Sequence, residues 1–161
     1  MRHCITSKTI IPLSGLSKLI GVCILFSLLL SCEKEDLSYS EEPEIQLSDI
    51  SHDTLVQYGE VLVISIHYQD GDGDLGFEDP DQYALFIRDL RLEDFDPFYV
   101  GPLSPVGSSV PIEGELKVEF PSLFLFGNGP QETTRFECKI VDRAGNESNL
   151  ITTPSVVILR E

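Results

Sequence analysis

Residues 67–81, HYQDGDGDLGFEDPD, carry five aspartates and one glutamate in fifteen positions, with glycines between the first three aspartates. Carboxylates at alternate positions of a curling loop can all be offered to one side. A hard cation such as Ca²⁺ takes six to eight oxygens of this kind. Three carboxylates held close together also repel one another, and a divalent ion neutralises them. Asp-Gly is equally the preferred dipeptide of a type I′ hairpin turn. The stretch therefore suits either a calcium loop or a solvated acidic hairpin.

Counted from Asp70 as position 1, the stretch resembles the calcium loop of the EF-hand. Asp72 and Asp74 fall at positions 3 and 5, Gly76 at 7 where a backbone carbonyl suffices, Glu78 at 9 and Asp81 at 12. It departs at position 6, where Leu75 replaces the glycine of the sharp turn, and at position 12, where Asp81 is shorter than the bidentate glutamate. No flanking helices are expected either, so the six residues are candidate calcium ligands without an EF-hand around them. Asp142 or Asn146 would join them if the DRAGN loop lies at the same end of the molecule.

Little else has the makings of chemistry. His67 falls on a strand face with Val63 and Ser65, and His52 has no patterned partner. No glycine-flanked nucleophile motif accompanies the many aspartates. Cys138 alternates with Phe136 and Ile140 against Arg135, Glu137 and Lys139, which places its thiol on an apolar face. Catalytic residues are therefore expected to be none. Candidate ligand contacts are Phe98 and Tyr99 in PFYVGPLSP. Phe124 and Phe126 in PSLFLFGNGP are expected to fill the core instead.

The elements that must carry these residues begin after a leader. Residues 1–18 hold Arg2, Lys8 and Lys18 and no acidic residue, and Leu19–Leu30 is an apolar run broken only by Gly21 and Ser27. About a dozen apolar residues make a secretory h-region, whereas a membrane-spanning helix needs about 20. LLSC, Leu29 to Cys32, resembles the lipobox of bacterial lipoproteins. That resemblance implies a signal peptide over 1–31, cleavage before Cys32, and covalent diacylglycerol and fatty acyl (palmitate) groups on Cys32. Two or more acyl chains hold a protein firmly on a membrane.

Residues 32–43, the acylated cysteine and EKEDLSYSEEP, read as a flexible acidic tether. CEKED is similar to the export signal of surface lipoproteins of the Bacteroidota, which favours the outer face of the outer membrane over its periplasmic face. Three of the eleven Lys and Arg leave with the leader, so eight remain against all 27 acidic residues, a net charge of −19. Such a chain is repelled by nucleic acid and by anionic head groups. Cys4 and Cys23 also leave, so Cys138 has no disulfide partner.

From 44 to 161 strand signals dominate. EIQLSDI alternates Ile45 and Leu47 and then slips to Ile50. EVLVISIHYQ alternates Leu62, Ile64, Ile66 and Tyr68, with Val61 and Val63 making its start apolar on both faces, as a central strand requires. YALFIRDLRL follows a Gly/Asp/Pro turn and is read as a strand. GELKVEF turns Leu116, Val118 and Phe120 inward. Two further strands, Thr133–Asp142 and about Ser148–Leu159, are joined by DRAGNES, where Gly145 and Asn146 can take positive φ. Prolines across 97–130 argue against a long helix. About seven strands without βαβ alternation give an all-β fold, an antiparallel Ig-like β-sandwich in architecture.

HYQDGDGDLG followed by VDRAGNESNLITTP resembles uncharacterised β-sandwich lipoproteins of the Bacteroidota cell envelope. The resemblance implies an Ig-like fold and an outer-membrane location, and no activity. The expected function is a membrane-anchored, non-enzymatic binding or adaptor module stabilised by calcium, with an envelope protein or a glycan as partner. The alternatives are a structural subunit of an outer-membrane assembly and, last, a hydrolase accessory or enzyme.

Overall fold

The strand expected from EVLVISIHYQ forms and organises its neighbours. The computed structural model describes residues 39–161; the signal peptide, Cys32 and the start of the tether lie outside the described residues. In chain order the strands are β1 (Glu44–Ile50), β2 (Thr54–Val56), β3 (Leu62–Asp70), β4 (Leu85–Asp89) and β5 (Asp96–Phe98). They continue with β6 (Ile112–Phe120), β7 (Gln131–Thr134), β8 (Phe136–Ile140), β9 (Ile151–Thr152) and β10 (Val156–Leu159). Among the described residues there is no helix. The fold is all-β and sandwich-like, with three sheets ordered β1-β3-β6, β2-β10-β7 and β5-β4-β8-β9.

β3 is the central strand of its sheet, antiparallel to both β1 and β6. Its inward face, Leu62, Ile64, Ile66 and Tyr68, is buried against Ile87, Phe136, Ile140 and Ile158 from the other sheets. Period two carries this face one step further, to Asp70, which is also fully buried. The slip in EIQLSDI is a register shift of β1 on β3 between Leu47 and Asp49, a bulge that keeps Leu47 and Ile50 against the core.

Ten strands replace the expected seven or so: the short β2 and β5 add to the count, and two long strands divide. Each of the two long C-terminal strands changes sheet partway. Thr133–Asp142 divides into β7 and β8, and 148–159 into β9 and β10. Pro154 has no N–H for a ladder, and at the break the Phe136 N–H donates to Thr153 Oγ1 at 3.0 Å. One pairing is not antiparallel: β2 runs parallel to β10. In the turn after β8 only Gly145 takes positive φ, at 90°. Asn146 stays out of that region and uses its amide otherwise.

The registers define two ends of the sandwich. Asp70 at the end of β3 pairs with Ile112 at the start of β6, and Leu62 with Phe120 at the opposite end. Leu85 of β4 pairs with Ile140, and Asp89 with Phe136. One end therefore gathers the acidic loop, the start of β4 and the residues after β8. The other gathers the residues before β3, after β4 and after β6. The described part of the tether enters at the acidic end. Ser40 accepts from the Gly71 N–H at 2.7 Å, Tyr39 Oη donates to Glu113 at 2.6 Å, and Pro43 is buried.

Candidate metal centre

The acidic stretch is not a hairpin turn. β3 and β4 lie in different sheets, and positive φ occurs at Gly73 and Gly76, which are separated in sequence. The loop is instead packed between three segments. Gly73 closes on the Val110 carbonyl and Gly76 on the Gly101 carbonyl, each so tightly that a Cβ would come within 2.2 Å of the oxygen. Only glycine fits such approaches at φ of 70° and 82°. The Leu103 N–H donates to Leu75 O and the Phe77 N–H to Val100 O, and Leu75 itself is buried in the core. That burial explains a leucine where an EF-hand has glycine.

Within this frame Asp70, Asp72 and Asp74 converge. Each presents a carboxylate oxygen within 4.8 Å of the other two. The Oδ1 atoms of all three are buried and accept no hydrogen bond. The second oxygens are anchored where partners exist: Asp70 Oδ2 accepts from the Asp74 N–H at 2.9 Å, and Asp74 Oδ2 from the Ala144 N–H at 3.0 Å. A buried carboxylate oxygen without a donor is costly, and here three share one small volume. These carboxylates can hold a metal ion.

The electrostatics point the same way. Burial pushes the Asp70 carboxyl up to about 6, helped by the Asp72, Asp74 and Asp142 charges against the Asp74 N–H. Asp74 is raised by burial, then by Asp142 and Asp72, against the Ala144 N–H and the Arg143 charge. The DRAGN loop thus lies at the same end. Asp142 is buried and oriented by Asn146, whose backbone N–H and amide Nδ2 donate to its two oxygens at 2.7 and 2.8 Å. Arg143 donates to Gly76 O at 3.0 Å and Gly73 O at 3.4 Å, so a cation ties the loop without capping the Oδ1 atoms.

Three of the six expected ligands are brought together. Gly76 gives its carbonyl to Arg143, and Glu78 and Asp81 are exposed and outside the converging group. The EF-hand count fails beyond position 5 because the chain turns away at Gly76 to pack on 100–101.

Phe98 is half-buried, edge-on to Phe120 with ring centroids 5.7 Å apart. With Tyr99, which is 46 % exposed, it lines a groove of about 300 Å³ between β5 and β6. Phe124 and Phe126 do not fill the core: they are 42 % and 48 % exposed, while Leu123 and Leu125 are buried. In the alternation LFLF the leucines took the inward face. Sequence reasoning did not single out Arg91 or Tyr58, which hold these phenylalanines in place, and no pattern in the sequence marks either one.

Cys138 is fully buried and its thiol is pushed up to about 12, by burial and then by Glu137. Ser51 Oγ lies 2.8 Å from His52 Nδ1, but that oxygen also accepts from the Val63 N–H at 2.9 Å.

Compared with family models, curated proteins and solved structures, the chain finds no match.

Proposed function

We propose that this chain is a cell-envelope lipoprotein, acylated at Cys32 and held at the outer membrane facing outward, whose sandwich is completed by a calcium ion and acts as a non-enzymatic binding module. The observation that carries the calcium reading is the set of three buried, unpartnered Oδ1 atoms of Asp70, Asp72 and Asp74. An all-oxygen anionic set suits a hard cation, and zinc prefers nitrogen and sulfur donors. Ca²⁺ tolerates irregular geometry and would complete its shell with water or Asp142; Mg²⁺ demands a near-ideal octahedron.

The membrane reading is supported by the leader, the lipobox-like LLSC and the resemblance to envelope lipoproteins. A binding role is supported by the setting of two groups, the one cysteine among the described residues and the serine beside His52. The Cys138 thiol is sealed in the core, and Ser51 Oγ is engaged by backbone.

Thermal unfolding of the full-length chain in detergent, with EDTA and with millimolar Ca²⁺, tests the site. An ion at a hundred times its Kd stabilises by about 2.7 kcal/mol, a rise in Tm of about 10 °C for a domain of this size. Asp72→Asn should lose most of that rise. Coincident curves for the unmutated chain would sink the calcium reading.

A further inference from the structure

The end of the sandwich opposite the acidic loop presents aromatic rings to solvent. Tyr58 is 64 % exposed, and its ring stacks on Phe124 with centroids 6.0 Å apart and planes 10° from parallel. Phe126 meets Phe124 edge-on at 5.3 Å. Three touching, exposed aromatic side chains form an apolar patch of the kind that marks interaction sites.

Two features show that the patch is built. Tyr58 holds φ at 61° and is the one non-glycine residue with positive φ among the described residues. For a bulky side chain this conformation is strained, and such strain gathers at functional sites. A hydrogen bond from its N–H to Leu123 O at 3.0 Å fixes it there. The phenylalanines are fixed from behind. Arg91 lies over the Phe126 ring at 4.3 Å and donates to Phe124 O at 2.9 Å. Glu132 in turn accepts from the Phe126 and Gly127 N–H groups and from Arg91.

Beside the rings lies a cleft of about 270 Å³ in which Phe124 and Phe126 face Asp89, Arg91 and the exposed Asp96. This is just below the range of drug-sized ligand sites, about 300–1,000 Å³, and suits a single small unit. Asp89 and Arg91 are bonded to each other, so Asp96 supplies the cleft's polar edge, and the lining suits a unit with one apolar face and a polar edge. A pyranose has that form, with C–H groups that lie on aromatic faces and hydroxyls that donate to carboxylates. A neutral sugar is also not repelled by so acidic a chain.

The patch is remote from the point where the described chain enters. The described chain enters beside Gly71, and β3 runs its nine residues from there to the aromatic end. At about 3.3 Å per residue, the patch is roughly 30 Å from the point of entry.

We propose that the Tyr58–Phe124–Phe126 platform and its cleft bind a neutral glycan. This rests on the binding-module reading and names its ligand class.

The test applies full-length chain in detergent and Ca²⁺ to an array of neutral gluco-, galacto-, manno- and N-acetylglucosamine oligosaccharides. At least one class should be retained, and Phe124→Ala and Tyr58→Gly should each weaken it tenfold or more. Tyr83→Ala, an exposed tyrosine just before β4 at the acidic end, should leave it unchanged. Retention of no glycan, or equal retention by Phe124→Ala, overturns the proposal. So does a dimer in sedimentation that Phe124→Ala dissociates, because the patch is then a contact between copies. Melting the same samples in EDTA separates the two ideas: calcium stabilisation without glycan retention removes only this inference.

Discussion

At the scale of single residues, Asp70 and Tyr58 both sit where generic energetics would not put them. The Asp70 carboxyl, at about 6 in the folded state, lies above its ordinary 3.8. Between those pH values the metal-free folded state binds a proton that the unfolded chain has released, so stability falls as pH rises through the window and stays lower above it. Asp70→Asn has no such titration. In EDTA its urea midpoint should gain on the unmutated protein from pH 4 to pH 7, and in Ca²⁺ the order should reverse. An advantage flat with pH would mean that Asp70 does not titrate there. Tyr58→Gly should change unfolding free energy by no more than about 1 kcal/mol, because relief of a strained φ offsets the lost ring contact and the added chain freedom. Unfolding measurements beside the glycan array would separate a ligand contact from a structural one. Asp70 was legible in the sequence: it is the next step of the Leu62–Tyr68 alternation and the first carboxylate of the loop. The orientation of Phe124 was not, since an LFLF alternation defines two faces without saying which is inside.

At the scale of elements, the end of β4 matters most. Asp89 is buried beside Arg91 and Thr134, and Arg91 reaches Glu132 beyond it at 2.8 Å. Burial alone would raise the Asp89 carboxyl, but hydrogen bonds from Arg91 and Thr134 outweigh it and hold it below the usual range. That contribution to stability is present above the ordinary carboxylate pKa and fades as pH drops through the lowered one. Arg91→Met should cost about 2–3 kcal/mol in chemical denaturation, less than the roughly 3–5 of a fully enclosed pair because the cluster is partly wet. The same change frees the loop carrying Phe124 and Phe126, so glycan retention should fall with it. Strand positions were read correctly wherever alternation was strict, as in β3, β6 and β8. Of the exchanges of sheet, the one at Thr134–Phe136 was missed because alternation continues across it, whereas at Pro154 the inward parity slips by one, from Thr153 to Val156. They depend on which partner strand is near, a property of the whole chain.

At the scale of the molecule, one core joins the two ends. Cys138 lies within it with a thiol raised to about 12, so alkylation should require opening of the entire fold. Mass measurement of the Cys138 peptide after iodoacetamide at pH 8 should show slow modification, slowed about a hundredfold more by Ca²⁺ at a hundred times its Kd. Rapid labelling in Ca²⁺ would reveal a local opening near β8. The entry of the chain beside Gly71, at the start of β1, has a mechanical consequence. Tension between Tyr39 and a ligand gripped at the aromatic end is directed along β1 and β3, across the axis of their ladder bonds. The rungs are then loaded in shear and share the force together, instead of parting one by one as in a zipper. The Tyr39–Glu113 bond and the backbone clip between Ser40 and Gly71 are outside that ladder and give way first, lengthening the tether before the sandwich bears load.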